Sequence, residues 1–156
     1  MSFKSFIAAA VVAATSAIAP VQAMPEGGAE LQKALDQAGV EYTSGDCKPH
    51  GINGVFGFFH PIKNWIHVCT DVATTEEQQW ETFRHEAVHA AQFCVNSSMS
   101  FTVMSSKYLL ENGRQSDWDF IQRAYDKEDW AIELEAFTLA RMSNQAIAEL
   151  VDAACN

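Results

Sequence analysis

Thr74-Thr75-Glu76-Glu77-Gln78-Gln79-Trp80-Glu81-Thr82-Phe83-Arg84-His85-Glu86-Ala87-Val88-His89-Ala90-Ala91-Gln92-Phe93-Cys94 is the stretch on which the reading of this chain turns. Its start is a strong helix signal. Thr74 with Glu77, or Thr75 with Gln78, can form a capping box, and the acids suit the positive end of a helix dipole. Trp80, Phe83, Ala87, Ala90 and Ala91 then carry an apolar pattern to about Cys94, and Asn96-Ser97-Ser98 breaks it. The segment predicts one long, largely buried helix with two histidines and a glutamate in its apolar half.

The flanking chain reads outward from that helix. On its amino side Val55 to Phe59 and Trp65 to Thr70 are strand-like runs around the turn His60-Pro61-Ile62-Lys63-Asn64, which predicts an antiparallel hairpin. Before the hairpin, Gly45 to Asn53 reads as loop and Val40 to Thr43 as a short strand-forming run. Earlier still, Ala29 to Ala38 has helical spacing, with Gly39 in place to end it. On the carboxyl side a helix is expected over 101–112, closed by Gly113, and another from Ser116-Asp117 through Ala124. Glu128 to Cys155 is a long helical region with a break expected near Ser143-Asn144, where Ser143 can cap a second segment. The expected fold is helix-dominated α+β, a short antiparallel hairpin sheet packed on the central helix and the C-terminal helices.

The chain has 156 residues, the size of one domain preceded by a short leader. Lys4, the apolar run Phe6 to Ile18, Pro20 and Val21-Gln22-Ala23 read as a signal peptide, residues 1–23, cleaved after Ala23. The run is too short for a ~30 Å hydrocarbon core, and no later stretch is long and apolar enough to span a membrane. The expected mature domain, 24–156, is therefore secreted or periplasmic, with no membrane association. The formal net charge is −10, and residues 1–23 hold one base, Lys4, and no acid, so the mature domain carries −11. That balance argues against nucleic acid as a partner. Four cysteines in an exported chain favour two disulfides. Cys47–Cys69 is the expected first bridge, tying the loop to the hairpin; Cys94–Cys155 is the second, tying the central helix to the last. No Cys-x-x-Cys pair is present to suggest a thiolate metal site.

His85-Glu86-Ala87-Val88-His89 has a spacing with a mechanical cause. Residues four apart lie one turn apart on one helix face, so both imidazoles can reach one metal ion. Glu86 sits beside them, placed to take a proton from a water that such an ion acidifies. The bland alternative is two histidines and a glutamate on an ordinary amphipathic helix. The apolar flanks weigh against it, because buried imidazoles and a buried carboxylate need a polar partner to offset desolvation.

Phe83 to Gln92 resembles the active-site helix of the zincin superfamily of metallopeptidases; the likeness is specific over this helix and general elsewhere. It implies one Zn²⁺ per chain, His85 and His89 as ligands, Glu86 as general base and acid, and a peptide or protein substrate. The metzincin continuation is missing, since Gln92 stands three residues past His89 and no histidine follows. A glutamate is then expected to complete the site, as in gluzincins, from among Glu111, Glu128, Glu133, Glu135 and Glu149. Glu133-Leu134-Glu135-Ala136 resembles the E-x-x-A element of small gluzincins, which makes Glu133 the expected ligand. Glu135 is the alternative by its likeness to the E-A pattern of thermolysin-like enzymes. The two point roughly 200° apart on a helix, so only one can bind. Phe137 and Leu139 stand where relatives carry an acid that orients a histidine, so that support must come from elsewhere. Trp65 to Thr70 precedes the helix as the substrate-binding edge strand of zincins does, though an ordinary hairpin strand fits equally. Tyr108 and Tyr125 are candidates to stabilise an oxyanion. His50, His60 and His67 are read as non-ligands. A different class of function remains open, a non-catalytic exported zinc-binding or interaction module; a third is an exported toxin or inhibitor in which the motif is incidental.

Overall fold

Trp65–Cys69 is the spine of a small mixed sheet in the computed structural model, which describes residues 25–51, 54–97 and 103–156. The expected leader, residues 1–23, lies outside the described residues. This strand, β3, pairs antiparallel with β2 (Gly57–His60) through the expected hairpin, with Phe59 opposite Ile66. Its other side pairs in parallel with β1 (Glu41–Gly45), so the sheet order is β1-β3-β2. The hairpin expectation therefore holds, with one strand more than the turn signals specified. It also corrects the edge-strand reading of Trp65 to Thr70: β3 is paired on both sides, and β2 is the outer strand of the hairpin.

Local chemistry explains how β1 reaches its place. Helix α1 (Gly28–Gln37) buries Leu31, Ala34 and Leu35. It ends where Gly39 adopts φ +69°, a conformation costly for a residue with a Cβ. Asn64, itself at φ 48° in the hairpin turn, donates its side-chain amide to the carbonyls of Ala38 and Gly39. That clamp delivers the chain to Glu41, opposite Trp65. Gly45 then pairs with Cys69, so Cys47 lies within reach of it, and the Cys47–Cys69 disulfide closes with Cα atoms 5.2 Å apart.

Helix α2 (Glu76–Asn96) runs beneath the sheet. Its start is the Thr75–Gln78 capping box, one of the two the sequence allows. The expected 101–112 helix begins later, as α3 (Ser106–Asn112), because Ser105 caps it and accepts from the Tyr108 N–H; residues 101 and 102 lie outside the described residues. Helix α4 (Gln115–Ala124) follows. The long C-terminal region splits into α5 (Trp130–Leu139) and α6 (Asn144–Cys155), with Ser143 capping α6 as its sequence position suggested. Arg84 fastens that break to α2, donating to the Ala140 carbonyl and to Asn144 Oδ1.

The main core lies between the sheet, α1, α2 and α6, around Leu31, Leu35, Ile66, Val88, Ile147 and Val151. A second cluster, Leu109, Ile121 and Leu134, joins α3, α4 and α5. Helix α5 is buried along nearly its whole length, including both Glu133 and Glu135. The Cys94–Cys155 disulfide joins the ends of α2 and α6, Cα atoms 5.0 Å apart. The architecture is helix-dominated α+β, and its two disulfides suit an exported protein. No helix of the described residues is long and apolar enough to cross a membrane.

Candidate metal centre

The helical register of α2 turns His85 and His89 to one face, and α5 crosses that face with Glu133 in its first turn. The three side chains meet. His85 Nε2 and His89 Nε2 stand 3.1 Å apart, and the Glu133 oxygens lie 3.3 Å from the first and 3.5 Å from the second. One ligand atom from each residue falls within 4.8 Å of the others; His89 and Glu133 are buried and His85 nearly so. Four donors placed tetrahedrally at about 2.0–2.1 Å from a zinc ion are separated from each other by about 3.3 Å. The two imidazole nitrogens stand near that separation, and each has a Glu133 oxygen near it as well, Oε2 for His85 and Oε1 for His89. Two neutral imidazoles and a carboxylate are also the donor chemistry such an ion takes. Glu133 Oε2 supports the fit further, being buried without a well-directed hydrogen bond.

The electrostatics follow from burial. His89 is only 4 % exposed, and burial by itself would lower its pKa; hydrogen bonding and charge from Glu133, with the Glu86 charge, outweigh that and raise it to about 9. Burial likewise pushes Glu133 upward, but the two histidines win and hold it at about 2. Glu86 behaves oppositely. Its carboxyl is buried, and desolvation raises its pKa against the opposing pull of His85 and His89, with the Glu133 charge adding to the rise.

Two features of β2 hold Glu86 in place. The Phe59 backbone N–H donates to its carboxylate. Gly57 lets the strand lie against the helix: a Cβ there would sit 2.6 Å from Thr82 Cγ2, 2.8 Å from the His67 carbonyl oxygen and 3.5 Å from Glu86 Cγ. Only a residue without a side chain fits.

Tyr125, at the end of α4, brings its hydroxyl to Glu133; burial first, then the charges of Glu133 and Glu86, push its pKa well above the ordinary tyrosine value. Tyr108 packs instead beside the two core clusters. The Phe137 ring meets His85 edge-on, centroids 4.6 Å apart, and so limits how that imidazole can turn.

The two candidate acids of α5 part company. Glu133 joins the histidines, whereas Glu135, fully buried, accepts from Gln92 Nε2 at 2.8 Å and from the backbone N–H groups of Val103 and Met104. Glu111 pairs with Lys107 at the surface, and Glu149 accepts from Gln145 there. Among the other histidines, His67 bonds Thr43 Oγ1 and His60 accepts from the Lys63 N–H; the His50 side chain lies outside the described residues. The support for His89 comes from Gln92, whose Oε1 lies 2.8 Å from His89 Nδ1. In the sequence Gln92 marks only the place where a metzincin pattern needs another residue. The available signal was a lone amide among Ala87, Val88, Ala90 and Ala91, a polar group that burial obliges to find partners.

Residues 27–155 match the model of a domain of unknown function, DUF8637, and the chain belongs to that family. No curated protein and no solved structure matches it.

Proposed function

We propose that this member of the DUF8637 family is an exported zinc-dependent metallopeptidase. The observation that carries the reading is the meeting of His85, His89 and Glu133: the two Nε2 atoms stand 3.1 Å apart, Glu133 Oε2 lies 3.3 Å from the first and Oε1 3.5 Å from the second, and the buried Glu86 carboxyl lies alongside. His85, His89 and Glu133 would hold one zinc ion, which when bound supplies an acidified water and polarises a substrate carbonyl.

The chain's own groups do the rest. Glu86 takes a proton from the attacking water and passes it to the departing amine. Burial helps, because a carboxyl pushed upward is closer in proton affinity to both partners near neutral pH. The Phe59 N–H keeps one carboxylate oxygen oriented, leaving the other for the proton. Tyr125 keeps its hydroxyl proton at neutral pH and so can donate to the oxygen on which charge develops. A site that held metal only for stability would have no use for Glu86, a carboxyl kept buried next to the triad at a cost in desolvation. The two disulfides suit action outside the reducing cytoplasm.

The test is reconstitution. Protein stripped by a chelator and restored with one equivalent of zinc is incubated with an unfolded protein and a peptide library, and new termini are read by mass spectrometry. Cleavage that appears only with zinc supports the proposal. Fully zinc-loaded protein that cuts nothing contradicts it.

A further inference from the structure

Gln92 lies one turn beyond His89 on α2 and is fully buried. Its Nε2 donates to the Ile132 carbonyl at 3.0 Å and to Glu135 Oε2 at 2.8 Å. A backbone carbonyl can only accept, so the amide has one satisfactory orientation, with Oε1 toward His89 Nδ1 at 2.8 Å. An amide oxygen also only accepts. Nδ1 of His89 must therefore carry a hydrogen, which leaves Nε2 as the nitrogen that faces the triad and binds a metal once it gives up its own proton.

Glu135 is the fixed end of this chain of bonds. It is fully buried and is held by three N–H donors: Gln92 Nε2 and the backbone amides of Val103 and Met104. Both of its oxygens are engaged as acceptors of these bonds, which holds the Gln92 amide in this orientation.

We propose that Gln92 and Glu135 are positioning residues for the metal centre. Together they carry a hydrogen-bond relay from the Val103–Met104 backbone to His89, selecting the tautomer that binds through Nε2. The proposal rests on reading the triad as a metal site. It assigns Glu135 a role in metal affinity without contact to the metal, and gives Gln92 a role that packing alone would not require. Partners of this kind are worth about 10–100-fold in metal affinity.

The test uses cobalt(II), titrated into chelator-treated protein and followed by visible absorption and by the shifted ring N–H resonances of the ligating histidines. Wild type is expected to show a slowly exchanging Nδ1–H from His89, shielded by Gln92. Gln92→Met, similar in shape but with no oxygen to accept, should bind cobalt about 10–100-fold more weakly and lose that slow resonance. Gln92→Glu keeps an oxygen that accepts from Nδ1, so its affinity should stay within a few-fold of wild type. Gln92→Met with wild-type affinity and an unchanged ring proton would overturn the relay while leaving the metal centre intact. Where Gln92→Met does not fold, wild type decides: coordination of His89 through Nδ1 overturns the relay. Wild type that takes up no cobalt overturns the metal centre, and the relay with it.

Discussion

Replacing Gly57 with alanine tests whether β2 is held against the site helix as described. The added Cβ would meet Thr82 Cγ2 at 2.6 Å and the His67 carbonyl oxygen at 2.8 Å. Neither distance is tolerable, and the second obstacle is backbone of the central strand. The strand must therefore lift from α2. Overpacking of this kind costs about 2 kcal/mol, which in a domain of this size is roughly 6–10 °C in Tm. Lifting the strand also draws the Phe59 N–H from Glu86, so hydrolysis should fall further than stability alone would explain. The assay is thermal unfolding of wild type, Gly57→Ala, Thr82→Ala and the double variant, with activity measured well below each Tm. Thr82→Ala removes the nearer obstacle and leaves the carbonyl, so the double variant should recover about half of the Gly57→Ala loss. Gly57→Ala that melts with wild type, or a double variant with no recovery, would refute the close packing of β2 on α2.

Three further outcomes follow from the same contacts. Glu133→Ala should lose stoichiometric metal, while Glu135→Ala should keep one ion per chain at lower affinity; elemental analysis after gel filtration separates the two, and the reverse pattern would exchange their roles. Removing the Cys94–Cys155 bridge, which spans 61 residues, should cost about 4 kcal/mol in denaturant unfolding, against about 3 kcal/mol for Cys47–Cys69 across 22. No loss on removing the longer bridge would refute its role in tying α6 to α2. Arg84→Met should lower stability by about 1.5–3 kcal/mol, since a charged donor to Ala140 and Asn144 is removed where α5 gives way to α6. Denaturant unfolding unchanged by the substitution would show that Arg84 does not fasten that break.

Much of the site was legible because its determinants are local. Four-residue spacing puts His85 and His89 on one face wherever α2 goes, and Thr75 with Gln78 fixes where α2 begins. Cysteine count and placement anticipated both disulfides. The choice between Glu133 and Glu135 needed tertiary structure, because α5 is buried nearly all round and its sequence marks no single inward face. Both carboxylates turn out to be engaged, one in the triad and one through Gln92. The third strand was harder still: β1 joins β3 in parallel across an intervening loop and β2, a non-local pairing that turn signals do not record. The later start of α3 has a similar origin. Glu135, distant in sequence, accepts the Val103 and Met104 amides just before the Ser105 cap.

The most direct test of the account compares wild type with Glu86→Gln, measuring bound zinc and peptide hydrolysis on the same preparations. One zinc per chain is expected in both proteins, with a loss of about 10²–10⁴-fold in hydrolysis for the variant. Hydrolysis that survives the substitution with zinc bound, or wild type that holds no zinc, would contradict it.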